Sequence, residues 1–89
     1  MRPIDPARLI QSVGVRLGEI RRQRGLTQQE VADRLALTMR YVQRVESGES
    51  NLTLRSMAEF ANALRVPLEE LFVPPESRKR RPGRPGKRG

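Results

Sequence analysis

The sequence contains no cysteine and no histidine. Their absence removes disulfide staples, thiol nucleophiles, the usual zinc sites and histidine acid–base chemistry together. Catalysis would have to rest on carboxylates, lysine or hydroxyls. Aromatic residues are nearly as scarce, Tyr41, Phe60 and Phe72 being the whole set. That is thin for a small-molecule pocket or for a platform that stacks single-stranded bases, so no cofactor and no small-molecule ligand are expected. No apolar run reaches the roughly 20 residues that cross a bilayer, and Met1-Arg2-Pro3-Ile4 leads into no hydrophobic signal core. A cytoplasmic protein without a membrane partner is therefore expected. The 89 residues allow one small domain with a single modest core.

Positive charge is what the chain has in excess: 18 basic against 10 acidic residues, a net charge of +8. Such a balance points to a polyanionic partner. The excess is local. Residues 77–89 carry Arg78, Lys79, Arg80, Arg81, Arg84, Lys87 and Arg88 and no acid, whereas residues 1–76 are nearly neutral, with 11 cations and 10 acids. Residues 77–89 hold nothing to bury, and residues 74–89 are expected to form a disordered basic tail. The acids of the body are scattered, Glu69-Glu70 being the only adjacent pair. A small metal-dependent nuclease, which needs clustered carboxylates, is the weakest functional reading.

Hydrophobic spacing between the ends is helical. Residues 1–11 form a weakly determined leading segment, with Asp5 before Pro6 as a helix start and Ile10 on the stripe that follows. From residue 12 the pattern firms into a domain over 12–73. Val13, Leu17 and Ile20 line one face of a helix that ends at Gly25. Thr27-Gln28-Gln29-Glu30 reads as a capping box opening a second helix with Val31, Ala32 and Leu35 inside. Ala36-Leu37 makes a tight turn, Thr38 caps a third helix with Val42 and Val45 inward, and Gly48 stops it. Thr53 caps a fourth whose stripe is Leu54, Met57, Ala58, Ala61 and Leu64, flanked by Phe60. Pro67 opens a short fifth helix with Leu68, Leu71 and Phe72, ended by Pro74-Pro75. No segment alternates with period two. The predicted fold is all-α, five short helices around a core drawn from about 60 residues, near the lower limit for independent folding.

The segment from Thr27 to Gly48 is two short capped helices joined by a turn. On the outer face of the second stand Met39, Arg40, Gln43 and Arg44. A helix of this kind fits the DNA major groove, where arginine forks onto guanine and glutamine onto adenine. An ordinary helical hairpin with a solvated face satisfies the same periodicity.

The run Gly14-x-Arg16-Leu17-x-x-Ile20-Arg21-x-x-Arg24-Gly25-Leu26-Thr27-Gln28-x-x-Val31-Ala32, with Leu37-Thr38-x-x-Tyr41-Val42-x-Arg44-Val45-Glu46-x-Gly48 after it, resembles the xenobiotic-response-element and phage lambda repressor superfamily. The likeness covers nearly all of residues 12–73. Within that superfamily the chain is similar to small stand-alone regulators, including restriction-modification controller proteins. The resemblance implies a five-helix fold, a recognition helix at residues 38–47, and a homodimer on a partly palindromic operator in double-stranded DNA. It implies that Gln28 meets a phosphate, and that Met39, Arg40, Gln43 and Arg44 face base edges. Thr38, Tyr41 and Asn51 would then touch the DNA backbone, with capping for Thr38 and packing for Tyr41 as equal alternatives. It also implies an ion pair between Arg21 and Glu46, tying the first helix to the end of the third.

Four positions depart from the family pattern, Met39 among them, since it is no hydrogen-bonding base reader but can pack on a thymine methyl. Ala36 stands where a left-handed glycine is usual, which costs about 1 kcal/mol if that geometry is kept. Leu52 stands where proline is common, and Pro67 where a capping serine is common. In the tail, Gly83-Arg84-Pro85 resembles an AT-hook, whose arginine enters a narrow A/T-rich minor groove. Pro82 replaces the hook's usual preceding arginine, so a nonspecific polycation fits slightly better than a true hook. The reading that results is a sequence-specific, DNA-binding transcriptional regulator. An autoregulatory antitoxin of a toxin–antitoxin pair, or a protein-bridging coactivator, would use the same helices.

Overall fold

The computed structural model describes residues 2–76. The tail from Ser77, including the hook-like Arg84 and its neighbours, lies outside the described residues.

Four α-helices and one 3-10 turn make up the fold: α1 (Pro6–Gln23), α2 (Gln28–Leu35), α3 (Met39–Glu46), α4 (Leu54–Leu64) and the turn Leu68–Phe72. There is no strand among the described residues. Each α-helix starts where a side chain can satisfy an orphan amide. Asp5 accepts from the Ala7 amide at 3.1 Å, with Pro6 as the first helical residue. Residues 6–11, weakly determined by periodicity, are thus the opening turns of one 18-residue helix. Thr27 accepts from the Glu30 amide at 3.0 Å while the Glu30 carboxylate accepts from the Thr27 amide at 2.7 Å, completing the capping box. Thr38 and Thr53 cap α3 and α4 in the same way, accepting from Tyr41 at 3.1 Å and Ser56 at 3.0 Å.

The predicted fifth helix is instead a five-residue 3-10 turn. Pro67 in its cap position offers no side-chain acceptor to the first amides, and a segment this short gains little from α-helical bonding.

The core is formed by Val13, Leu17 and Ile20 of α1, Val31 and Ala32 of α2, Val42 and Val45 of α3, Phe60, Ala61 and Leu64 of α4, and Leu71. The stripe of α4 is rotated from the predicted one. Phe60 is buried at 2% exposure while Leu54 is 70% exposed, and Ala58 is exposed. The inner face runs Met57, Phe60, Ala61, Leu64, which places the largest apolar side chain of the helix in the core. Phe72, also expected inside, is 48% exposed.

Two backbone features set the α1–α3 packing. A Cβ on Gly14 would overlap the carbonyl oxygen of Val45, so α1 and α3 meet backbone to backbone there. Gly48, at φ +83°, leaves room only for hydrogen, since a Cβ would lie 2.8 Å from Gln11 Cα. Between α2 and α3, Ala36 adopts the left-handed conformation with φ 56° and ψ 41°. The turn geometry is therefore kept without glycine, at a cost of about 1 kcal/mol.

Arginines from other elements close the end of α4, which has no cation in its own last turn. Arg24 donates to the carbonyls of Leu64 and Arg65 at 3.0 and 3.1 Å, and Arg34 to that of Ala63 at 2.9 Å. Arg16 donates to both the carbonyl and the carboxylate of Glu70, each at 2.9 Å, holding the 3-10 turn against α1. These guanidinium groups supply donors to carbonyls that a helix end leaves unpaired and offset its negative dipole.

Candidate nucleic-acid interface

The α2–α3 pair is anchored from beneath by Val31, Ala32, Val42 and Val45, each at most 1% exposed. Since a helix repeats every 3.6 residues, burying positions 42 and 45 turns positions 40, 43 and 44 outward and leaves 39 on the flank of that face. Met39, Arg40, Gln43 and Arg44 are all exposed. Among the described residues, the side chains of Arg40, Gln43 and Arg44 take no hydrogen bond or ion pair. With Ser47 and Glu49 these three bound a shallow concavity on the outer face of α3.

Glu49 is missing from the residues that periodicity singles out, because it lies beyond the glycine that ends the helix. The chain folds back at Gly48, with the Gly48 amide donating to Val45 and the Glu49 amide to Arg44, each at 3.0 Å. That reversal returns Glu49 to the rim of α3. The glycine at position 48, just past the helix, was its only trace in the sequence.

Behind the face lies an ion pair. Arg21 and Glu46 side chains are each 11% exposed, with Arg21 Nε 2.7 Å from Glu46 Oε2 and Nη2 donating to Oε1 at 3.1 Å. Arg21 Nη1 donates to the Leu26 carbonyl at 2.8 Å. Gln28 Nε2 donates to Glu46 Oε1 at 3.0 Å. One carboxylate thereby joins α1, the start of α2 and the last turn of α3, and fixes where α3 stands on the body. Gln28, expected to meet a phosphate, commits one amide hydrogen to Glu46 and keeps the other hydrogen and its oxygen.

Of the remaining sequence candidates, Thr38 is exposed and engaged as the α3 cap. Tyr41 is half-buried and packed against the core. Asn51 is exposed in the loop before α4 and lines a different, apolar groove, together with Leu9, Ile10, Val13, Met57 and Phe72. Arg84 lies outside the described residues. Among the described residues no helix is long and apolar enough to cross a membrane.

A family model described as helix-turn-helix matches residues 17–71. The chain is 39% identical over 62 residues to the uncharacterized HTH-type transcriptional regulator y4dJ of Sinorhizobium fredii, a match over 70% of this chain and 80% of that protein. Among solved structures it is similar to the restriction-modification controller protein C.AhdI from Aeromonas hydrophila, with 36% identity and a TM-score of 0.67 over 71% of this chain and 96% of the other. It is also similar to the controller protein C.Esp1396I, solved as a tetramer with its natural 35 base-pair operator, with 25% identity and a TM-score of 0.63 over 73% and 96% of the two chains. The family match takes in both capped helices, the outward face of α3 and the core beneath them. The chain belongs to the helix-turn-helix family of DNA-binding transcriptional regulators.

Proposed function

We propose that this regulator recognises a partly palindromic operator as a cytoplasmic homodimer, reads bases with the outer face of α3, and catalyses no reaction. The observation that carries the reading is the state of Arg40, Gln43 and Arg44: exposed, on one helix face, and free of internal partners on a rigidly buried frame. Arginine matches guanine O6 and N7, and glutamine matches adenine N6 and N7. Met39 packs against a thymine methyl. The first-turn amides of α2, with the remaining amide hydrogen of Gln28, suit a phosphate. Thr38, Tyr41 and Asn51 touch the DNA backbone, and Arg84 meets either phosphates or the minor groove.

Exposed apolar side chains support the homodimer. Leu9, Leu54, Phe72 and Val73 are between 41% and 70% exposed, and Leu9 and Phe72 line the apolar groove away from α3. Such surface is unfavourable in a lone small domain and is relieved by a second copy. The operator-bound tetramer of C.Esp1396I is a precedent for assembly on DNA.

Selection of bound sites from a random duplex oligonucleotide pool tests the proposal. An enriched palindrome with half-sites spaced by one or more helical turns supports it. A pool that shows no enrichment over input sinks the base-reading role, and a bound species of monomer mass sinks the dimer.

A further inference from the structure

We propose that Glu49 is a specificity-determining residue whose carboxylate accepts from the exocyclic N4 amino group of a cytosine in the major groove. This deepens the base-reading role proposed for α3 and rests on it. A carboxylate on a surface that docks a polyanion works against binding unless it meets a donor. Glu49 stands on that surface, in the same concavity as Arg40, Gln43 and Arg44.

Its placement is built into the chain. The reversal at Gly48 sets the Glu49 amide on the Arg44 carbonyl at 3.0 Å. The Ser47 hydroxyl lies 3.0 Å from Glu49 Oε2 and 2.9 Å from the Arg44 carbonyl, so its one hydrogen serves either acceptor. Neither Arg40 nor Arg44 comes within ion-pairing distance of the carboxylate among the described residues. The acid is therefore steadied by a neutral neighbour and keeps Oε1 for an incoming donor.

The chemistry selects the base. In the major groove a C·G pair presents the cytosine N4 donor beside the guanine O6 and N7 acceptors, and carboxylate and guanidinium are the side chains that match those two edges. Adenine also offers an amino group, but N7 and the thymine O4 flank it with acceptors that repel a carboxylate. A concavity that Glu49 shares with Arg40 and Arg44 thus fits the edge of a C·G pair.

The experiment compares the full-length protein with Glu49→Ala and Glu49→Gln by selection from a random duplex pool at one salt concentration. Affinities follow on the selected site and on the same site with the C·G pair changed to T·A. The wild type is expected to favour cytosine at one position of each half-site by about tenfold, a preference that Glu49→Ala abolishes and Glu49→Gln broadens to adenine, other positions being unchanged. Thermal unfolding checks that both variants fold, as an exposed loop side chain predicts. If all three proteins select one consensus and both variants bind every sequence more tightly, Glu49 acts only through its charge and the assignment is overturned. If the wild type selects no consensus, the base-reading role of α3 falls and this assignment falls with it.

Discussion

Arg21 holds Glu46 with two bonds, Nε to Oε2 at 2.7 Å and Nη2 to Oε1 at 3.1 Å, across 25 residues of sequence. Arg21→Ala leaves a largely buried carboxylate with only Gln28 as a donor. The expected loss is about 1–3 kcal/mol of folding stability, measured by urea denaturation. In a double-mutant cycle with Glu46→Ala, a coupling near zero would reduce the pair to surface decoration.

Ala36 occupies a backbone conformation, φ 56°, that glycine adopts without strain. Ala36→Gly is expected to raise stability by about 1 kcal/mol, the strain relieved at a left-handed position. A lower urea midpoint would mean that the α2–α3 turn has another geometry in solution.

Gly14 and Gly25 make opposite demands. Gly14→Ala pushes a methyl into the Val45 carbonyl and is expected to cost about 1–3 kcal/mol or more through displacement of α1 from α3. Gly25→Ala meets nothing within 4 Å but keeps φ +71°, so its cost is about 1 kcal/mol of backbone strain alone. Equal costs would contradict the close approach at Gly14.

Arg40→Ala tests the reading face. A loss of about 1–3 kcal/mol on the operator, with little change on random duplex, is expected of a base contact. Equal loss on both would make Arg40 a phosphate contact.

Removal of residues 77–89 takes away seven cations. The slope of log affinity against log salt is expected to flatten by up to about 6, with fold and site preference retained. A hook further requires that Arg84→Ala weaken operators with A/T-rich flanks more than those with G/C-rich flanks. An unchanged salt slope in the truncated protein would show that the tail does not touch DNA.

Much of this fold is written in local signals. Thr27 with Glu30, Thr38 and Thr53 mark helix starts because capping is a matter of three or four consecutive residues, and all three are used as caps. The phase of α4 was not legible, since Leu54, Ala58 and Phe60 fit two stripes equally in sequence. The choice between them depends on the shape of the core they meet. The clasps of Arg16, Arg24 and Arg34 were invisible for a related reason: their acceptors are mostly backbone carbonyls, which every residue carries. In the interface, the outward row on α3 follows from helical period. Glu49 does not, because its position depends on the reversal at Gly48.

The side chains of Arg40, Gln43 and Arg44 make no hydrogen bond or ion pair within the described residues, whereas the seat of α3 is fixed by the backbone contact at Gly14 and the carboxylate of Glu46. Reader and frame are thus separable. On the proposed reading of α3, substitutions at residues 40, 43 and 44, each expected to change stability by within about 0.5 kcal/mol, would let a lineage migrate to a new DNA address one residue at a time without passing through unfolded intermediates. The same independence would make these positions a graft site, into which the outward residues of a related α3 could be transplanted to redirect the protein to that relative's target.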